Sequence, residues 1–260
     1  MSDKKCSYAV NDGIAVMTIN NPPVNALSGR VLKDIEASVK EALADDQVRV
    51  IILTGAGEKA FIAGADITEF TGLKEKQEAS DFLAYGQGIT NLIEEADKPF
   101  IAAINGFCLG GGMEYALACH MRLANEDAQL GLPEIKLGII PGYGGTQRTP
   151  RLIGKGRALE LILSGNFISG SQAAEYGLIN RAVPAGMVLE EAQKLARAIA
   201  SKSRMNIKAA LKAVNEGMEL GFKQGLKLEG QLFGELCETE DKVEGVAAFM
   251  EKREPGFKDK

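Results

Sequence analysis

Apolar and polar positions change their period along the chain, and the changes outline its elements. Ser7–Val10 and Ile14–Ile19 are strand-like and flank the turn signal Asn11-Asp12-Gly13, so Tyr8–Asn20 reads as a β-hairpin that Pro22-Pro23 brings to a stop. Val31, Leu32, Ile35, Val39 and Leu43 recur at helical spacing behind Ser28, an N-cap residue, and predict a helix reaching about Ala44. Val48–Leu53 is a continuous apolar run, a buried strand. Gly55–Thr68 is loop-like, and a helix from Lys76 to about Ala96 ends ahead of Lys98-Pro99. Phe100–Ile104 is a second apolar strand, Gly110–Gly112 a tight turn, and Met113–Cys119 the start of another helix.

Strands alternating with helices predict an α/β fold with a mostly parallel sheet built from βαβ units, without a clear internal sequence repeat. Pro133–Gly145 is a Gly/Pro-rich loop, followed by helices at Thr146–Ile153, Gly156–Leu163 and Ser171–Tyr176 and a short strand at Asn180–Val183. From Val188 onward the pattern is helical: Glu190–Ala200, Met205–Leu220, Gln224–Cys237 and Val243–Met250. The expected division is an α/β core over residues 1–200 and a helical subdomain over 201–260 that packs on the core or on a neighbouring subunit.

Composition narrows the function classes. With 260 residues, 45% of them hydrophobic, the chain can bury a sizeable core. Thirty basic side chains against 35 acidic ones, with no long run of either sign, argue against a nucleic-acid partner. The four cysteines form no Cys-x-x-Cys pair, and with a single histidine no zinc set of the usual spacing exists; free thiols in a reducing compartment are expected. Met1–Val10 carries Lys4 and Lys5 without the apolar core of a secretory signal. Phe100–Ala124, the most apolar stretch, includes Asn105, Glu114, His120 and Arg122 and is too polar for a membrane span. The expectation is a soluble, cytoplasmic protein with no membrane partner.

Three segments carry chemistry. In Asn105–Glu114 a strand runs into Gly110-Gly111-Gly112 and then a helix, which exposes N–H groups at a helix N-terminus; they can hold an oxyanion, or the glycines can simply permit close packing. No Gly-Lys-Ser/Thr follows and the Gly-x-Gly-x-x-Gly spacing is missing, so phosphate-loop and dinucleotide readings are weaker. Phe61–Ile67 is rich in small residues whose amides can approach a ligand, or is an ordinary loop. In Gly131–Arg148, Glu134 sits among apolar residues, prolines and glycines, where desolvation raises a carboxyl pKa toward that of a proton donor; the alternative is a solvent-facing glutamate.

The ordered set of these segments, with Asn21-Pro22-Pro23-Val24-Asn25-Ala26-Leu27 before them and Thr146-Gln147-Arg148 after, resembles the enoyl-CoA hydratase (crotonase) family over essentially the whole chain. The resemblance implies the crotonase (ClpP-like) spiral fold of ββα units with a helical C-terminal trimerisation subdomain. It implies a hydro-lyase that adds water reversibly to a trans-2-enoyl thioester of coenzyme A, such as crotonyl-CoA, in fatty-acid β-oxidation or related catabolism. Glu114 and Glu134 are then the catalytic pair, the first activating water at the β-carbon and the second delivering a proton to the α-carbon. The amides of Ala63 and Gly111 form the oxyanion hole, and that of Gly142 helps hold the water. Val24 and Ala26, with Ala65, Asp66 and Ile67, contact coenzyme A. No cofactor or metal is required, because coenzyme A belongs to the substrate, and a homotrimer or a hexamer of paired trimers is expected.

The family commonly has an aspartate where this chain has His120, a difference that reads as structural. Two carboxylates favour hydration over isomerisation, which one glutamate at the position of Glu134 can perform, and neither site offers a dehalogenase's aspartate nucleophile. An enoyl-CoA isomerase or a hydratase of cyclic dienoyl thioesters is the nearest alternative. A non-catalytic RNA-binding relative is disfavoured by the acidic balance and the intact pair.

Overall fold

The hairpin forms as its alternation dictates. β1 (Cys6–Asn11) pairs antiparallel with β2 (Ile14–Ile19), and Asp12 and Gly13 take the left-handed φ of 49° and 77° that a two-residue turn demands. This computed structural model describes residues 4–72 and 75–260, so Met1–Asp3, part of the segment read for a leader, lie outside the described residues. α1 (Gly29–Ala44) starts at Ser28, whose hydroxyl accepts from the Val31 N–H at 3.4 Å, and it buries Val31, Leu32, Ile35 and Val39.

Three ββα turns follow: β3 (Val50–Gly55), β4 (Ala60–Ile62) and α2 (Lys76–Glu94); β5 (Phe100–Ile104), β6 (Phe107–Leu109) and α3 (Gly111–Ala118); β7 (Met121–Asn125), β8 (Gln129–Gly131) and α4 (Gly145–Ser164). β9 (Ile168–Ser169), α5 (Gly170–Tyr176) and β10 (Arg181–Val183) lead to α6 (Val188–Ala200), α7 (Arg204–Glu219), α8 (Phe222–Cys237) and α9 (Glu240–Glu251). Each turn places its first strand in one sheet and its second in another. The sheet orders are β1-β2-β3-β5-β7-β10, parallel after the hairpin, and β4-β6-β8-β9. This is a spiral of ββα turns, the architecture that the resemblance implies.

The larger sheet is covered on both faces. Ile51 and Leu53 of β3 join the core beneath α1, while Val50 and Ile52 join the one under α6, where Ala192 and Ala196 allow close approach. A strand buried on both sides shows no alternation, which explains the unbroken apolar run. The C-terminal segment is tied back to this sheet: Arg49 bonds Asp259 at 2.7 Å and the carbonyls of Ala200 and Lys202.

Several expectations need correction. β4 lies inside the Gly55–Thr68 segment expected to be loop, β6 is the strand that runs into Gly110-Gly111-Gly112, and the pattern does not predict β7, β8 and β9. Strands of two to five residues among glycines show no usable period. The break expected between Ile153 and Gly156 is the non-helical Gly154, at φ 78°. All four cysteines are free thiols. Among the described residues no helix is long and apolar enough to cross a membrane, and no group of metal-ligating side chains occurs.

Candidate active site

The site lies where the second sheet meets α3. Gly110 turns the chain out of β6 at φ 52° and ψ −126°, which an L side chain rarely adopts. A Cβ there would also stand 3.0 Å from Glu134 Oε1. Gly112 presses on the Ile62 carbonyl with no room for a Cβ, which seats α3 against β4. Gly111, the first residue of α3, directs an N–H with no acceptor inside the helix toward this corner.

Glu114, one turn into α3, is 2% exposed. Its Oε1 accepts from the N–H groups of Tyr143 and Gly145, both at 2.7 Å. Burial pushes its pKa up to about 7; the Gly145 N–H opposes this, the Glu134 charge adds to it, and the Tyr143 N–H and Arg148 oppose it again. Glu134 sits in a 3₁₀ turn over Pro133–Leu137, and its Oε2 is buried without a partner among the described residues. Desolvation raises its pKa too, its own N–H opposing. The Glu134 charge therefore reaches Glu114 across one corner, and each carboxyl is more basic than a solvated glutamate.

The small-residue loop requires a correction. The Ala63 N–H donates to the Val24 carbonyl at 3.1 Å, so the donor expected at Ala63 is already engaged. Leu27 N–H donates to Gly64 O at 2.9 Å and Asp66 N–H to Leu27 O at 2.7 Å, so Val24–Leu27 lies alongside Ala63–Asp66 as a short parallel ladder. Along such a ladder alternate amides face opposite ways, and the Ala65 N–H faces away from Leu27. It makes no hydrogen bond among the described residues. Ala65 follows Gly64, which packs beside the Gly110 turn. Ala65, read from the sequence as a coenzyme A contact, is thus the residue whose amide is available beside that of Gly111.

The remaining expected positions divide. Val24, Ala26, Ala65, Asp66 and Ile67 are brought together by the ladder. Asp66 spends Oδ1 on Thr68, accepting from its N–H at 3.0 Å and its hydroxyl at 2.7 Å, and Ile67 is exposed. The Gly142 carbonyl accepts from Gln87 at 2.7 Å and its N–H stays without a partner among the described residues, beside the two amides that hold Glu114. His120 is structural: its Nδ1 accepts the Phe100 N–H at 2.9 Å, and burial pushes its pKa down to about 4.

Four contributors went unread in the sequence. Asn25, buried at φ 56°, donates to the carbonyls of Ala56 and Ala60 and fixes the ladder. Tyr143 carries one of the Glu114 donors and packs its ring on Gly111 and Gly86. Arg148 and Glu94 form an ion pair at 2.6 Å beside that turn. Asn25, Tyr143 and Arg148 lie within the chemistry-bearing motifs of the sequence, where the pattern alone assigns them no role, and Glu94 lies outside them. A cavity of about 750 Å³, lined by Thr54, Lys59, Asn105 and Asn125, lies at the C-terminal ends of the large sheet and includes neither glutamate; the chemistry argues against it as the catalytic pocket.

Two unengaged amides beside two carboxyls of raised basicity can polarise a carbonyl and move protons at adjacent carbons. A profile of the enoyl-CoA hydratase/isomerase family matches residues 9–260. A probable enoyl-CoA hydratase of Bacillus subtilis (strain 168) is 48% identical over 253 residues, 97% of this chain and 98% of that protein. A crotonyl-CoA hydratase of Syntrophomonas wolfei is 42% identical, covering 94% of each. The crystal structure of an enoyl-CoA hydratase from Bacillus anthracis superposes with a TM-score of 0.93 at 40% identity, covering 98% of this chain and 100% of that one.

Proposed function

The chain belongs to the enoyl-CoA hydratase/isomerase family, and from that premise we propose how it works: it is a hydro-lyase that adds water reversibly to a trans-2-enoyl thioester of coenzyme A, giving the 3-hydroxyacyl thioester. The observation that carries the reading is the joint placement of Glu114 and Glu134 beside the free amides.

The thioester carbonyl accepts from the N–H groups of Ala65 and Gly111, which stabilise the enolate oxygen as electron density moves onto it; one such donor is worth about a hundredfold or more in rate. With Oε1 held by two amides, Glu114 presents Oε2 to a water and takes its proton as the oxygen bonds to the β-carbon. A base whose pKa lies near the operating pH is both ionised and basic enough for this step. The Gly142 N–H is assigned to orient the same water. Glu134 gives its proton to the α-carbon; a bound thioester covers its remaining exposed surface and raises its pKa further, which favours the protonated form. The reverse reaction exchanges the roles.

The substrate supplies the electron sink, so this scheme uses no separate cofactor. Val24, Ala26, Asp66 and Ile67 flank the approach and are assigned to coenzyme A. The buried Tyr143 ring packs on Gly111 and is assigned as the limit on acyl length, so crotonyl-CoA is the substrate to test. The exposed Phe222, Leu226, Phe233, Phe249 and Met250 of α8 and α9 suit a trimer or paired trimers, with the core at 1–200 and the helical subdomain at 201–260. A cytoplasmic location accords with four free thiols.

The test follows loss of the conjugated enoyl-thioester absorbance of crotonyl-CoA. Glu114→Gln and Glu134→Gln should each lower turnover by about two to four powers of ten. Full activity in either variant refutes the assignment.

A further inference from the structure

We infer that Arg148 is a positioning residue for the acid/base pair: from α4 it clamps the Tyr143–Gly145 turn, whose main-chain donors hold Glu114. The kinetic part of this inference rests on the hydratase reading; the structural part does not.

The Arg148 side chain is 11% exposed and all five N–H donors of its guanidinium are committed. Nη1 donates to the Tyr143 carbonyl at 2.8 Å and to Thr90 Oγ1 at 3.4 Å. Nε reaches both oxygens of Glu94 at 3.1 Å, and Nη2 reaches Glu94 Oε2 at 2.6 Å and Asn91 Oδ1 at 2.9 Å. Thr90, Asn91 and Glu94 belong to α2, so Arg148 fastens α2 to the turn ahead of its own helix. The Tyr143 carbonyl belongs to the peptide between the two that supply the Tyr143 and Gly145 N–H groups. Pinning that carbonyl fixes the direction of both donors on Glu114 Oε1.

Gly144 makes the clamp possible. It sits at φ 108°, and the Arg148 guanidinium occupies the space a Cβ would need. A lysine carries a point charge without the planar fork and cannot span Glu94, Asn91 and the carbonyl together.

The groups facing Glu114 are Glu134 from the 3₁₀ turn, Tyr143 and Arg148 from the turn and α4, and Tyr115 within α3. Arg148 is itself faced by Glu94 of α2 and Cys119 after α3, and His120 lies against Glu94. Losing the clamp loosens two donors to the ionised carboxyl and removes a nearby positive charge. Both changes favour the protonated form, so Glu114 should hold its proton to higher pH.

The experiment titrates Glu114 in the ligand-free protein by difference infrared spectroscopy, with Glu114→Gln identifying the carboxyl band. The midpoint near 7 should rise by about one pH unit in Arg148→Met and by less in Arg148→Lys, which keeps the charge. The acid limb of kcat/KM for crotonyl-CoA should move with it, with turnover largely recovered at alkaline pH. A folded Arg148→Met with an unmoved midpoint, or a fall in turnover uniform across pH, overturns the inference. Should Arg148→Met fail to fold, Arg148→Lys decides, and an unmoved midpoint there is equally fatal. If crotonyl-CoA is not hydrated at all, the hydratase reading falls while the infrared midpoint still judges Arg148.

Discussion

Placing a carboxyl where Glu114 sits costs the fold stability, and Glu114→Gln measures how much. The unfolded chain releases this proton near 4.5, whereas the folded protein keeps it until about 7. Between those values the folded state binds more protons. Stability is therefore fully present below 4.5 and lost as the pH rises through 7. The loss amounts to about 3 kcal/mol at pH 8 and about 1 kcal/mol at pH 5, at roughly 1.4 kcal/mol for each tenfold change in proton affinity. Glutamine keeps an oxygen for the Tyr143 and Gly145 donors and carries no charge to desolvate. Glu114→Gln should thus be more stable than the wild type at pH 8, by up to about 3 kcal/mol, with most of the margin gone at pH 5. Urea unfolding followed by circular dichroism, at fixed protein concentration across this range, measures the difference; other titrating groups cancel in it. A margin that stays constant with pH, or a less stable Glu114→Gln at pH 8, would mean that Glu114 ionises as a solvated carboxyl and that the burial argument is wrong.

His120 should act in the opposite direction. Its folded pKa of about 4 lies below the ordinary 6.5, so stability present above 6.5 is lost as the pH falls toward 4, by about 2 kcal/mol at pH 5. His120→Asn, which keeps an acceptor for the Phe100 N–H, should flatten that slope in the same urea series; an unchanged slope assigns it to another group. Tyr143→Ala should vacate the space between Gly86 and Gly111 behind Glu114. The octenoyl-to-crotonyl ratio of kcat/KM should then rise by about tenfold, the worth of one or two methylenes in a pocket, and an unchanged ratio removes Tyr143 as the limit on chain length.

Elements whose signal is local were legible in the chain. The Asp12-Gly13 turn, the Ser28 cap, the doubly covered strand at β3 and the glycine entry to α3 each depend on neighbouring residues and a single period. Glu114 and Glu134 were legible by resemblance, and the apolar, proline-bounded setting of Glu134 foretold the direction in which its pKa moves. The short strands of the second sheet were not: each is stabilised by partners from other turns of the spiral, as when Leu109 pairs with Gly131. Periodicity within three residues carries no trace of such pairing.

The same distinction explains which amide of the small-residue loop is free. That a small-residue loop offers amides is written in Phe61–Ile67, but which amide is left free depends on the register of that loop against Val24–Leu27, and one step of register turns a donor away from that paired segment. The Arg148 clamp likewise exists only because α2 brings Thr90, Asn91 and Glu94 to a turn far along the chain. Sequence alone determined which chemical groups this protein owns and the local turns that present them. Tertiary structure decided which donors remain free and which carboxyls lose their water, because hydrogen-bond engagement and desolvation are set by what packs alongside.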